Sequence, residues 1–144
     1  MRIIDMHCDT LIEGWRKPER SFYDGDTSIN LKLLKENGSL VQFFAMYLSR
    51  NEMKTMDPYD ILKGIYGYYK EQMEKYSDII RPVYSVGEIL ENEKNGLLSS
   101  LLTVEDGVFV DGKIERVQEV YDMGVRLITP LWNFENSIGF PCSD

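Results

Sequence analysis

Histidine occurs once and cysteine twice in the 144 residues. Two cysteines, Cys8 and Cys142, cannot make a disulfide framework, and they read as free thiols of a reducing compartment. Positive charge is also scarce: 16 Lys and Arg stand against 24 Asp and Glu, a formal net charge of -8. An acidic chain without a basic patch is repelled by polyphosphate, which excludes nucleic acid and an anionic membrane surface as expected partners. Long apolar runs are missing too. The stretch 40–48 contains Gln42 and falls far short of the ~20 residues a spanning helix needs. The opening Met1-Arg2-Ile3-Ile4-Asp5 lacks the basic, apolar and small-residue succession of a secretory signal, so the expected location is the cytoplasm. Internal repeats, low-complexity tracts and linkers are absent as well.

What is present is a globular composition, 43% hydrophobic, in alternating strand and helix patterns. Residues 2–6 form a short buried strand on this reading, and 10–26 a long polar loop. A short helix begins at Ser28, passes through Leu31, Leu33 and Leu34, and stops at Asn37-Gly38 before a second strand at 40–48. Asp57-Pro58 offers an N-cap and a first-turn proline, and Leu62, Ile65, Tyr69, Met73 and Tyr76 share one face of a helix reaching about Ser77. A strand at 79–84 leads through Ser85-Val86-Gly87-Glu88, a capping-box spacing, into a helix ending near Asn95-Gly96. A fourth strand at 100–104, a helix marked by Ile114, Val117, Val120 and Tyr121, and a fifth strand at 125–131 complete the pattern, and 139–144 is loop-like.

Four strand-helix units and a fifth strand imply an α/β fold with a parallel sheet, either doubly wound or part of a (β/α)8 barrel. A whole barrel takes ~250 residues, so this chain supplies about half of one, expected as a single incomplete domain over residues 1–144.

The sole histidine, His7, lies in Asp5-Met6-His7-Cys8-Asp9-Thr10 at the end of the first strand. Residues two apart in an extended chain project from one face, roughly 6.6 Å apart, so His7 and Asp9 point together. An imidazole nitrogen and a carboxylate oxygen are suitable zinc ligands. Asp5 shares their parity one step deeper, whereas Cys8 has the opposite parity and is expected as a buried core thiol. Glu105 ends the fourth strand in Val104-Glu105-Asp106-Gly107 and would face the same mouth in a barrel. Each signal has a bland counterpart. A strand-end histidine flanked by acids is often a hydrogen-bonded structural residue, and Glu-Asp-Gly often caps a helix or makes a turn.

Together, Asp5-Met6-His7-Cys8-Asp9-Thr10-Leu11, Val104-Glu105-Asp106-Gly107 and Gly124-Val125-Arg126-Leu127-Ile128-Thr129-Pro130-Leu131-Trp132-Asn133 resemble the renal, or membrane, dipeptidase family. The resemblance implies an amino-terminal half of a (β/α)8 barrel that hydrolyses dipeptides at two zinc ions. His7 and Asp9 would bind the first zinc and Glu105 would bridge both. Two ions lower the pKa of a shared water and polarise the peptide carbonyl. The family draws two further histidines for the second zinc, and an arginine and an acid, from strands that would follow Asp144. With one histidine, this chain is expected to be inactive alone and to associate with another copy or with the other half, covering its sheet edges and inner face. Trp132 falls where animal members place a substrate-contacting histidine, so it is expected either as an aromatic wall for substrate or as barrel packing. Two other functions stay open: a metal-dependent amidohydrolase acting on a cyclic amide, and a catalytically silent assembly or binding domain.

Overall fold

In the computed structural model, which describes residues 2–142, five parallel strands carry five helices. Met1 and the last two residues of the loop-like ending at 139–144 lie outside the described residues. The strands are β1 (Ile3–Asp5), β2 (Ser39–Tyr47), β3 (Ile80–Pro82), β4 (Leu98–Glu105) and β5 (Val125–Thr129). The helices are α1 (Thr10–Arg16), α2 (Leu31–Glu36), α3 (Pro58–Lys75), α4 (Val86–Lys94) and α5 (Glu115–Asp122). Every ladder is parallel, as strand-helix alternation implies.

The long helix forms as its sequence dictates. Asp57 Oδ1 accepts the Tyr59 amide at 2.8 Å, Pro58 occupies the first turn, and Ile61, Leu62, Ile65, Tyr68, Tyr69 and Met73 are buried along one face. Ser85 caps α4 by accepting the Glu88 amide at 3.3 Å, and the Glu88 carboxylate reaches back to the Ser85 hydroxyl at 3.0 Å and the Tyr84 amide at 2.6 Å, one residue before the cap.

Three local expectations are corrected. The stretch 10–26 is not wholly loop: its first seven residues form α1, with Thr10, Leu11, Ile12 and Gly14 buried. Gly14 is there for contact rather than for a turn, because a Cβ at that position would collide with the Tyr68 ring of α3. Ser28 does not begin α2, since its amide and hydroxyl are both held by the Glu13 carboxylate at 2.6 and 2.8 Å, and Asn30 is the cap instead. The first strand is shorter than 2–6 and is not fully buried, with Ile4 57% exposed.

The sheet order explains that exposure. β2 pairs with β1 and directly with β4, while β3 pairs with residues 98–100 of β4 and β5 with residues 102–105. Because β2 occupies one edge of β4, the two others share the remaining edge, β3 low and β5 high. The β3 ladder is short and ends on Pro82, which has no amide to continue it.

Neighbouring residues of a strand face opposite sides, so Ser99 and Ser100 mark two surfaces. Tyr69 of α3 meets Ser100 at 3.0 Å on the core side, where Leu102, Val104, Phe44, Met46 and Leu48 pack. Asn92 of α4 donates to Ser99 at 3.2 Å on the other side, and Glu93 reaches Arg2 at 2.6 Å near the start of β1. The register places Ile4, Thr103 and Leu127 on this second side, where Ile4 and Leu127 are exposed. Among the described residues, no helix is long and apolar enough to cross a membrane.

Candidate metal centre

The carboxyl ends of β1, β2 and β4 converge on one mouth. β1 stops at Asp5, whose Oδ1 accepts the His7 amide at 3.3 Å, and the chain then turns toward α1. Cys8 keeps contact with the sheet by accepting the Ala45 amide at 3.1 Å through its carbonyl. Its thiol is buried, and that desolvation pushes its pKa up to about 12, consistent with an inert core group. Cys142 is exposed and free.

His7 and Asp9 do meet, though not by strand parity, because neither lies in a strand. Asp9 occupies the cap position of α1 and makes no side-chain capping bond, leaving its carboxylate for the mouth. His7 Nε2 lies 3.6 Å from Asp9 Oδ1 and 3.2 Å from Glu105 Oε2. One ligand atom from each of His7, Asp9 and Glu105 falls within a 4.8 Å group. Asp5 stays outside it.

The Glu-Asp-Gly corner divides its work. Asp106 makes the turn, accepting the Val108 amide at 3.0 Å, while Glu105 stands with Tyr47 and Thr129 at the top of the second side of the sheet, the side of Thr103 and Leu127. Burial raises the Glu105 carboxyl above the usual carboxylate range; His7 lowers it, and Asp9 and Asp106 raise it further. Among the described residues, no lysine or arginine forms an ion pair with Asp9 or Glu105. Two uncompensated carboxylates and an imidazole form a donor set suited to a divalent cation of zinc type.

Trp132 lines the same small pocket as the three candidate ligands, together with Tyr47. Its ring meets Tyr47 edge-on at a centroid distance of 5.2 Å. Tyr47 was not among the residues singled out from sequence. Its signal is positional: β2 ends there, and the β2–β4 register sets it opposite Glu105. Burial, then Glu105 and Asp9, raises its hydroxyl pKa, keeping it a neutral donor. A larger hollow opens at the opposite end of the sheet beside Arg2 and Glu93, but those two pair with each other.

A family model described as membrane dipeptidase, peptidase family M19, matches residues 1–143. The chain belongs to that family. Solved structures agree in fold. A dipeptidase AC described as a metallopeptidase is similar with TM-score 0.80 and 18% identity, over 92% of this chain and 43% of its own. A metallopeptidase from Rhodobacter sphaeroides, liganded with a phosphinate mimic of the dipeptide L-Ala-D-Ala, is similar with TM-score 0.80 and 17% identity, over 99% and 50%. An amidohydrolase from Pseudomonas aeruginosa is similar with TM-score 0.67 and 15% identity, over 78% and 32%. No curated protein matches at a significant level. This member of the membrane dipeptidase family therefore spans half or less of the length of these structures, and its open parallel array is consistent with part of a barrel.

Proposed function

We propose that this chain is the amino-terminal part of a metal-dependent dipeptidase and supplies His7, Asp9 and Glu105 to a zinc centre. The observation that carries the reading is the convergence of those three side chains beyond β1 and at the end of β4, where among the described residues no lysine or arginine pairs with either acid. Zinc held there would polarise a carbonyl and lower the pKa of a coordinated water. The chain's own residues do the rest. Glu105 must give up its proton to act as a ligand, and its raised pKa makes that loss harder, so protons compete with the metal as the solution is acidified. Tyr47 offers a hydroxyl beside the acids, and Trp132 gives the mouth an apolar wall against which a dipeptide side chain can pack.

Its single histidine leaves the chain without further imidazole ligands for a second zinc, so the full binuclear centre needs groups from outside these 144 residues. The exposed Ile4, Met6 and Leu127 give an apolar surface for a complementary half or a second copy. The test is hydrolysis of a dipeptide panel, alongside cyclic amides, by a protein that joins this chain to the rest of a barrel. Chelator-sensitive dipeptide turnover that vanishes with His7→Ala is the expected result. Turnover indifferent to that substitution would remove His7 from the chemistry, and preference for cyclic amides would move the reading to another amidohydrolase. The same single histidine favours a second reading, a silent assembly domain, for which no combination of halves should turn over either substrate.

A further inference from the structure

The corner after Glu105 is built on a strained residue. Asp106 has φ +78°, in the region that favours glycine, and is only 1% exposed. A non-glycine residue held there needs compensating contacts, and its carboxylate supplies them. Besides the Val108 amide, Asp106 Oδ1 accepts Asn136 Nδ2 at 2.8 Å. Asn136 in turn organises its own loop. Its Nδ2 donates to the Pro130 carbonyl at 2.9 Å, its Oδ1 accepts the Ile138 amide at 2.8 Å, and its amide donates to the Gly139 carbonyl at 3.1 Å.

The same Pro130 carbonyl accepts the Gly107 amide at 3.1 Å, so loop and corner touch through the backbone as well. Gly107 permits this approach: a Cβ there would collide with Ile138 Cδ1 and lie 2.7 Å from the Pro130 oxygen. Segment 130–139 carries Trp132. One asparagine thus ties the loop bearing the aromatic wall to the residue that follows Glu105. A second tie is peripheral, with Arg50 Nη2 donating to the Glu135 carbonyl at 3.1 Å and its guanidinium lying over Phe134.

We propose that the Asp106–Asn136 pair is a positioning latch. It holds the Trp132 loop against the mouth and, across one peptide bond, fixes the direction of Glu105. The Glu105 part rests on the metal reading above; the loop part does not. Asp106→Asn preserves the side-chain acceptor and tolerates the backbone angle, Asp106→Gly preserves the backbone alone, and Asn136→Ala removes the donor.

Hydrogen exchange followed by mass spectrometry on the full 144-residue chain reads the loop. Exchange across 130–139 should be at least about tenfold faster in Asp106→Gly and Asn136→Ala, and near the unmodified rate in Asp106→Asn. Helix α3 should stay at its original rate in all three. Unchanged exchange in 130–139, equal loosening of α3, or failure of Asp106→Asn to rescue would each overturn the latch. Zinc titration of the same samples reads Glu105. Affinity about tenfold weaker in the two latch-breaking variants is expected, and unaltered affinity would overturn that half of the proposal. If the unmodified chain binds no zinc, the metal reading fails while the exchange comparison still decides the latch.

Discussion

Two carboxylates, Glu52 and Glu105, have side chains of nearly equal exposure and opposite electrostatic surroundings. The Glu52 side chain is 19% exposed and that of Glu105 is 17%, so side-chain exposure does not separate them. Glu52 is gripped by Arg16 through two hydrogen bonds of 2.7 and 2.8 Å, and that contact lowers its pKa to about 2. Glu105 has no such partner among the described residues: burial raises its pKa, His7 at 3.2 Å lowers it, and Asp9 and Asp106 raise it further. One acid is a clasp between α1 and the link after β2, already neutralised within the chain. The other keeps a charge requirement that an external cation would meet.

The largest expected effect breaks the pair apart by metal affinity. His7→Ala and Glu105→Gln should each weaken zinc binding by at least about 100-fold in a calorimetric titration, whereas Glu52→Gln should leave it within about twofold. Loss of affinity in Glu52→Gln comparable to that in Glu105→Gln would end the distinction.

A smaller effect concerns the rigid backing of Glu105. Gly107→Ala must push aside Ile138 and the Pro130 carbonyl, and should destabilise the chain by about 1–3 kcal/mol in urea unfolding. Gly67→Ala in α3 has nothing within 4 Å of the added Cβ, so it should be neutral or stabilising by up to about 1 kcal/mol.

The two acids should also give opposite pH signatures in the metal-free chain. Glu52 has a lowered folded pKa, so its contribution is complete above the ordinary value of 4.5 and is lost as pH falls toward about 2. Glu105 has a raised folded pKa, so its contribution is present below the ordinary range and is lost as pH rises through the raised value. Unfolding free energies measured between pH 2 and 7 should lose the first trend in Glu52→Gln and the second in Glu105→Gln. At neutral pH the Arg16–Glu52 clasp, with Arg16 39% exposed, should account for no more than about 1 kcal/mol. The smallest effect is expected for Trp132→Phe, which keeps an aromatic wall and should leave zinc affinity within about twofold.

Much of this was legible because local physics and global fold agree. The Asp57-Pro58 start of α3 and the Ser85–Glu88 box are short-range signals, and the structure keeps both. What escaped was set by tertiary contact. Gly14 looks like a loop marker in sequence, yet its missing Cβ is what lets α1 lie against Tyr68. Ser28 looks like the start of the short helix, yet Glu13, fifteen residues earlier, captures it. Strand parity points His7 and Asp9 the same way, but the turn into α1 is what brings them together. Tyr47 depends on the register of β2 against β4, and that β3 does not lie between those strands is invisible to a pattern read along one chain.

Whether the proposed ligands His7, Asp9 and Glu105 hold a metal is open to direct measurement. Elemental analysis of the chain purified without chelators, beside His7→Ala and Glu105→Gln prepared identically, tests it most directly. Zinc should be present in the unmodified chain and lost from both variants. Zinc retained equally by all three, or absent from the unmodified chain even after incubation with zinc, would contradict the proposed ligand set.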